Sequence, residues 1–235
     1  MLLQASEQRS GFATAFDSIA QLLINRIRLN VFGQRCRILE VEFYLHSTAH
    51  PDPFTHCHPI QQQVGQWYLH RVGSGFRGGS FKGIDLTFGS GTASGGILIR
   101  TLESAEGQVI CGPSLCVDLI LRSADCEKPA DLDSQICETP AWSNACPLRV
   151  EQSPLVESEL CHTSARVGLK GAKIQDKELA TDYAARLYRF FIRPRAIKKG
   201  RPEVIRALLQ QGHSHNEVHK LTGSPMRTIE KYASC

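Results

Sequence analysis

The sequence predicts an α+β protein, with a single mixed, curved, antiparallel-rich sheet, flanking helices and a small C-terminal segment of three helices. Three observations support this fold class. Residues 36–45 alternate between apolar and polar or amphipathic side chains, which is typical of a half-buried strand. Other strand-like runs are separated by helical and irregular stretches, without the regular alternation of a doubly wound fold. The last 35 residues contain several helix-start signals.

The chain has 235 residues, enough for one large domain and a small appendage. We predict a domain over residues 1–200 and a separate tail over 201–235. Residues 186–235 hold 11 Lys and Arg against 3 Asp and Glu, a net charge of +8, whereas residues 1–185 have a net charge of −4. A basic tail predicts an anionic partner, with DNA as the first candidate. The alternative is a solvated charge run that only aids solubility.

The nine cysteines are odd in number and form no Cys-x-x-Cys pair, and no secretory signal precedes them. We therefore expect free thiols and an intracellular protein of the nucleus, nucleoid or cytoplasm. No stretch approaches the ~18 apolar residues of a membrane span. His56-Cys57-His58 invites a zinc interpretation, but adjacent residues rarely surround one ion. We expect a monomer without metal or cofactor.

The first elements are a helix over residues 14–25, capped by Asp17, and then the strand over 36–45. In this strand Glu40, Glu42 and Tyr44 share one face, and the apolar residues share the other. A carboxylate held on a rigid strand suits a reaction site. Two solvated glutamates on an outer face are the simpler interpretation.

The middle of the chain contains several shorter elements, of which the run at 96–103 is apolar on both faces and is therefore expected to be central in the sheet. The predicted elements are a loop over 46–66, strands over 67–70, 80–88 and 96–103, a helix over 115–121, a surface excursion over 122–150, and strands over 165–169 and 188–192.

The tail is expected to contain three helices. The first spans residues 202–211, the second opens with a capping box of Ser214 and Glu217, and the third follows Ser224-Pro225. The pattern of residues 212–218 is similar to helix-turn-helix segments of the resolvase and invertase type. Such a motif would bring Lys220, Arg227, Thr228 and Lys231 to DNA. The alternative is a tail that packs on the body without contacting DNA.

Six fragments, in this order, resemble the alkyladenine (3-methyladenine) DNA glycosylase family, and the resemblance covers about residues 14–195. They are Arg-Ile-Leu-Glu-Val-Glu-Phe-Tyr at 37–44, Thr-His-Cys at 55–57, Ile-Leu-Ile-Arg-Thr-Leu-Glu at 97–103, Cys-Gly-Pro-Ser-Leu-Cys at 111–116, Ala-Arg-Val-Gly at 165–168 and Tyr-Arg-Phe-Phe-Ile at 188–192.

The resemblance implies an enzyme that flips a damaged nucleotide out of DNA, stacks its base between aromatic side chains and hydrolyses its N-glycosidic bond. It implies that Glu42 activates the attacking water and that Arg100 lies beside that water. It also implies that Tyr44 and Tyr68 form the aromatic walls, with His56 beside the flipped base. A carboxylate suits this reaction because it accepts the proton of water and stabilises positive charge on the sugar.

More ordinary roles are open for the same residues. Arg100 would serve equally in a buried ion pair, His56 as a loop histidine and Tyr68 as a core residue. Trp67 is an alternative to Tyr68 as the second wall. Asp85 falls where the family has an Asn that guards the pocket floor, and a carboxylate there repels phosphates unless it is protonated or paired.

The hairpin that delivers the base departs from the family pattern. Its wedge position, which fills the gap left by the flipped nucleotide, falls at Gly78, and glycine cannot fill a base stack. Phe76, Arg77 or Phe81 would have to replace it, and Arg77 and Lys82 are expected to contact DNA. Three hypotheses follow: a glycosylase for alkylated or deaminated purines, a non-catalytic DNA-binding protein on the same scaffold, and a hydrolase of a small N-glycoside.

Overall fold

The computed structural model describes residues 2–153, 158–169 and 174–233, and it has the predicted α+β fold. None of the helices in these ranges has the length and apolar character needed to cross a membrane. The helices are α1 (Leu2–Arg26), α2 (Pro113–Ser123), α3 (Pro129–Ile136), α4 (Lys177–Ala185), α5 (Arg201–Gln210), α6 (His215–Thr222) and α7 (Met226–Ala233).

Ten of the twelve described strands form one curled sheet, in which every pairing is antiparallel. The strands are β1 (Ile27–Val31), β2 (Gln34–Ser47), β3 (His50–Pro51), β4 (Trp67–Leu69), β5 (Arg71–Val72), β6 (Gly75–Phe76), β7 (Ile84–Thr87), β8 (Ser94–Glu103), β9 (Val109–Cys111), β10 (Leu148–Gln152), β11 (His162–Ser164) and β12 (Arg189–Phe191).

Strand β2 is the centre of the sheet. It pairs with β8 along one edge and with β1, β12 and β3 in turn along the other. The register of the pairing with β8 shifts at two neighbouring places, on either side of Glu40. At the second, Glu40 lies opposite Thr101 but Val41 lies opposite Ile99. Arg100 is therefore the extra residue of a β-bulge. Bulges redirect side chains and are frequent beside functional sites.

The apolar face of β2 belongs to the main core, as its alternation predicts. Phe43 is fully buried and stacks on Phe16 of α1, with ring centroids 4.7 Å apart. Helix α1 buries Phe16, Ala20 and Ile24 on this side because they recur at helical spacing. Burying a large apolar side chain stabilises the fold by roughly 1.5–3 kcal/mol, so this contact fixes β2 in place.

The polar face of β2 overturns the simpler of the two interpretations. Glu40 and Glu42 are both 0% exposed, so they are not solvated glutamates on an outer surface. The segment around Val167 and the strand β12 cover them.

Four predicted elements differ from the structure. The helix expected over 14–25 begins already at Leu2, so Asp17 lies inside α1 and does not cap it. The strand expected over 80–88 is confined to β7 and is preceded by a 3₁₀ turn, Gly79–Phe81. The strand expected over 165–169 lies earlier, at β11. The stretch 122–150 is not only a surface excursion, since it contains α3 and the start of β10 and buries apolar residues in the core.

The tail forms the three predicted helices α5, α6 and α7. Ser214 caps α6 with the expected capping box to Glu217. The tail buries Leu208 and Ile229 in a second apolar cluster, which also includes Phe191 of β12. The tail therefore packs on the sheet through a shared cluster, and its division from the body at residue 200 remains a prediction.

Candidate functional site

The carboxylate of Glu42 is held by three donors beneath a cavity. Its Oε2 accepts hydrogen bonds from the hydroxyl of Tyr44 at 2.7 Å and from Nη1 of Arg100 at 3.1 Å. Its Oε1 accepts one from the backbone N–H of Val167 at 2.8 Å. Oε1 has no other partner among the described residues, so one of its lone pairs can accept a hydrogen bond from water.

Glu40 anchors the arginines that surround Glu42. Its Oε1 accepts hydrogen bonds from Nε of Arg100 at 2.9 Å and from Nε of Arg189 at 2.7 Å, and its Oε2 accepts one from the hydroxyl of Thr101. Burial acts to raise the pKa of Glu40, but the guanidinium groups of Arg189 and Arg100 outweigh it and hold the pKa below its ordinary value. Glu40 is therefore ionised and fixes the position of Arg100.

Arg189 also connects this network to the tail. Its guanidinium donates to the backbone oxygens of Lys199 at 2.8 Å and Gly200 at 3.2 Å. Gly200 precedes α5 and has φ of +66°. A Cβ at this position would lie 2.2 Å from Val167 and 2.8 Å from Arg189, so the close approach of the tail to the network requires glycine.

A second buried ion pair supports Tyr44. Arg166 and Asp52 are joined at 2.5 Å, and both side chains are 0% exposed. The guanidinium of Arg166 lies over the ring of Tyr44, 4.5 Å from its centroid, which is a cation–π contact. Tyr44 is thus held between Arg166 and the carboxylate of Glu42. Burial, followed by the charge of Glu42, raises the pKa of Tyr44 well above its ordinary value, so its hydroxyl keeps its proton.

These groups lie under a cavity of about 580 Å³. Of the predicted site residues, the cavity wall includes Tyr44, His56, Asp85 and Arg100 but not Glu42, which lies behind Tyr44 and Arg100. The cavity lining consists of Tyr44, Pro53, Phe54, His56, Gln61, His70, Arg77, Ser80, Phe81, Lys82, Asp85, Leu98, Arg100, Pro113, Val167, Gly168, Leu169 and Ile174.

His56 lines the cavity and is held from behind by Tyr68. The hydroxyl of Tyr68 lies 3.1 Å from Nδ1 of His56. Burial and the neighbouring His70 lower the pKa of His56 to about 4, so the ring is neutral at physiological pH. Tyr68 is 1% exposed and lies outside the cavity lining. It therefore supports His56, whereas the resemblance implied that it forms the second aromatic wall.

Asp85 is buried and paired. Its Oδ1 lies 2.7 Å from Nε2 of His70, and its Oδ2 accepts a hydrogen bond from Nε2 of Gln61 at 3.0 Å. The repulsion expected from an unpaired carboxylate is thereby reduced, because His70 supplies a partner.

The residues predicted to contact DNA lie in two places. Arg77 and Lys82 line the cavity, although Lys82 is paired with Asp118 at 2.5 Å. Phe81 is 72% exposed at the rim of the cavity. On the tail, three exposed cationic side chains belong to α6 and α7; they are Lys220, Arg227 and Lys231.

The sequence does not predict several contacts of this site. The fragments at 165–168 and 188–192 contain Arg166, Val167 and Arg189, but no role was assigned to them. Asp52 lies in an irregular loop, where nothing indicates its partner. His70 follows a short strand, and its contact with Asp85 depends on the pairing of β4 with β7. An arginine inside a predicted buried strand is the one feature of the sequence that indicates such a contact, because a buried charge needs a partner of opposite charge.

The arrangement suits acid–base chemistry on a polar ligand. A buried carboxylate with a free lone pair can accept a proton from water, and the adjacent guanidinium of Arg100 orients it. The walls provided by Tyr44, Phe54 and His56 can stack on a planar group. Within the described residues, no group of three or more His, Cys, Asp or Glu is placed to hold a metal ion, and the cysteines there are free thiols.

Comparison with known proteins finds a distant similarity to a viral protein. The chain is 28% identical over 199 residues to an uncharacterised protein of Acanthamoeba polyphaga mimivirus, and the similarity covers 78% of this chain and 88% of the viral protein. No protein-family model matches the chain.

Proposed function

We propose that this protein is a monofunctional DNA glycosylase that removes alkylated or deaminated purines. The observation that carries the proposal is the placement of Glu42, whose carboxylate is held by Arg100, Tyr44 and the N–H of Val167 directly behind an aromatic-lined cavity. The similarity of the six fragments to the alkyladenine DNA glycosylase family supports the same assignment.

In this proposal the flipped base enters the cavity and stacks on Tyr44 and His56. A water molecule donates a hydrogen bond to Oε1 of Glu42 and attacks the anomeric carbon of the sugar. The C–O bond forms as the N-glycosidic bond breaks, its electron pair leaves with the base, and Glu42 takes the proton of the water. Arg100 keeps the carboxylate of Glu42 correctly oriented, because Arg100 is itself fixed by Glu40.

Water must reach a carboxylate that is fully buried in the free protein. Oε1 is the oxygen that would accept a hydrogen bond from this water, because Oε2 already has two donors and Oε1 has one. Closure of the cavity by a base would place this water in a low-dielectric site, where the interaction between a carboxylate and a positively charged sugar is strong.

Phe81 is our candidate for the wedge that fills the gap left by the flipped nucleotide. It lies on the 3₁₀ turn at the cavity rim and is 72% exposed. Phe76 is less suitable because the guanidinium of Arg71 covers its ring at 4.1 Å. An exposed aromatic ring beside a base-sized cavity can insert between base pairs.

The complete burial of Glu42 also favours a second candidate function, a DNA-binding protein without catalysis. In that case Glu42 and Arg100 form a structural ion pair, and water never enters between them. Both candidates use the cationic residues Arg77, Lys220 and Arg227 for phosphates. They differ in whether a base is released.

Base release distinguishes these functions. Duplex and single-stranded DNA carrying 3-methyladenine or hypoxanthine are incubated with wild type, Glu42→Gln, and Glu151→Gln as a control in a partly exposed ion pair outside the cavity lining. We expect wild type and Glu151→Gln to release the base at the same rate and Glu42→Gln to be slower by about 100- to 10,000-fold. Release by Glu42→Gln at the wild-type rate would show that Glu42 is not the general base of the reaction. DNA binding without release by wild type would favour the non-catalytic function.

A further inference from the structure

Asp85 differs in charge from the rest of the cavity. It is the one acidic side chain among the described residues that line the cavity, where the other charged groups are Arg77, Lys82 and Arg100. A cavity for nucleic acid gains nothing from a carboxylate that faces phosphates. Its presence there indicates a contact with a hydrogen-bond donor on the ligand.

The carboxylate is held in a fixed position. Gln61 donates to its Oδ2, and the amide of Gln61 is oriented because its own Oε1 accepts the N–H of His58 at 3.3 Å. His70 holds Oδ1. Gly96 allows this packing, since a Cβ there would lie 2.6 Å from Oδ2 of Asp85. The acceptor is therefore preorganised, which is the requirement for discrimination between ligands.

Each carboxylate oxygen retains acceptor capacity. An ionised carboxylate offers about four acceptor positions, and Asp85 has two described donors, one on each oxygen. A ligand with an N–H group can use the remaining positions. A ligand that presents an oxygen instead would bring two acceptors together and leave the carboxylate without a further donor, at a cost in binding.

His56 provides the complementary group. The hydroxyl of Tyr68 lies 3.1 Å from Nδ1 of His56 and can donate its proton to that nitrogen. With a neutral ring, the proton of His56 is then on Nε2, which has no partner among the described residues. The cavity thus presents a neutral donor at His56 and a hydrogen-bond acceptor at Asp85.

We propose that Asp85 determines specificity by accepting a hydrogen bond from an exocyclic amino group, so that the site selects alkylated purines that keep this group over those that lack it. This inference rests on the proposed function, because it assumes that a base occupies the cavity. It assigns the substrate class more narrowly, since it disfavours deaminated bases.

Two pairs of bases that differ only in the amino group test this assignment. The first pair is 7-methylguanine and 7-methylhypoxanthine, and the second is 3-methyladenine and 3-methylpurine. Release from duplex DNA and equilibrium binding of the free bases, measured by calorimetry, are both recorded. We expect the amino-bearing member of at least one pair to be preferred by about 10- to 150-fold, the value of a hydrogen bond to a charged group.

Asp85→Asn should reduce this preference, because an amide can present either an oxygen or an N–H to the ligand. Asp133→Asn, which alters a carboxylate paired with Arg71 outside the cavity lining, should keep it. If Asp85→Asn fails to fold, the wild-type comparison alone decides. Absence of preference in both pairs, or an unchanged preference in folded Asp85→Asn, would overturn the inference.

The two readouts separate this inference from the proposed function. Release of both members of each pair at equal rates would leave the glycosylase function intact and refute the role of Asp85. Preferential binding of amino-bearing bases without any release from DNA would support the role of Asp85 and count against the glycosylase.

Discussion

Replacement of Glu40 by glutamine should destabilise the protein by about 3–5 kcal/mol, the usual cost of removing one partner from a buried ion pair. Glu40 is 0% exposed and accepts hydrogen bonds from both Arg100 and Arg189. Without it, Glu42 alone opposes two buried guanidinium groups. Glutamine is nearly the same size, and the hydroxyl of Thr101 can turn to accept from its amide, so the substitution chiefly removes charge.

Denaturant unfolding at pH 7 measures this change in the free energy of unfolding. Glu151→Gln is the matched control, because Glu151 also contacts two arginines, Arg149 at 2.5 Å and Arg35 at 3.5 Å, but its side chain is 20% exposed and that of Arg35 is 63% exposed. Ion pairs that are open to solvent contribute about 0–1 kcal/mol. Equal losses for Glu40→Gln and Glu151→Gln would refute our view that Glu40 is the anchor of the network.

Acid unfolding gives a second measurement of the same group. The pKa of Glu40 is lowered on folding from its ordinary value of 4.5. Its contribution is therefore complete above the pKa of the unfolded chain and is lost as the pH falls through the lower pKa of the folded protein. The difference in unfolding free energy between wild type and Glu40→Gln should be constant from pH 7 to about 5.5 and shrink below about 4.5. A difference that grows on acidification would contradict this sign.

Two further predictions concern DNA. Changing Lys220, Arg227 and Lys231 together to glutamine should weaken DNA binding and lower the slope of log K against log salt by up to about 3. Fluorescence anisotropy measures this slope, and the exposed Arg35 and Arg122, changed to glutamine, serve as controls. An unchanged slope would argue for a tail that only packs on the body. Phe81→Ala should slow base release from duplex DNA more than from single-stranded DNA, because no gap must be filled in a single strand. Leu160→Ala, at another exposed apolar residue, should change neither rate. Equal slowing on both substrates would show that Phe81 is not a wedge.

The central strand was predictable because its pattern is local. Alternation between apolar and polar residues over 36–45 fixes which side chains share a face, and β2 has this arrangement. The pattern does not reveal what covers the second face. Burial of Glu40 and Glu42 depends on Val167 and Arg189, more than 120 residues away in the chain. Contacts between residues so far apart in the chain produce no periodic pattern in the sequence.

The tail was predictable for a similar reason. The capping box of Ser214 and Glu217 lies within four residues, so the start of α6 follows from local chemistry. The strand at His162–Ser164 was displaced in our prediction, because Ala165-Arg166-Val167 reads as alternating. In the structure Arg166 instead turns toward Asp52 and Val167 toward Glu42. Contacts within the site thus override the local preference for a strand.

Release of a damaged base by wild type and by Glu42→Gln is the most direct test of the central proposal. The measurement is single-turnover release of 3-methyladenine from duplex DNA, with DNA affinity and unfolding free energy recorded for both proteins. We predict release by wild type and at least a 100-fold slower release by a folded, DNA-binding Glu42→Gln. Release at the wild-type rate by Glu42→Gln, or DNA binding by wild type without release of any base, would contradict the account.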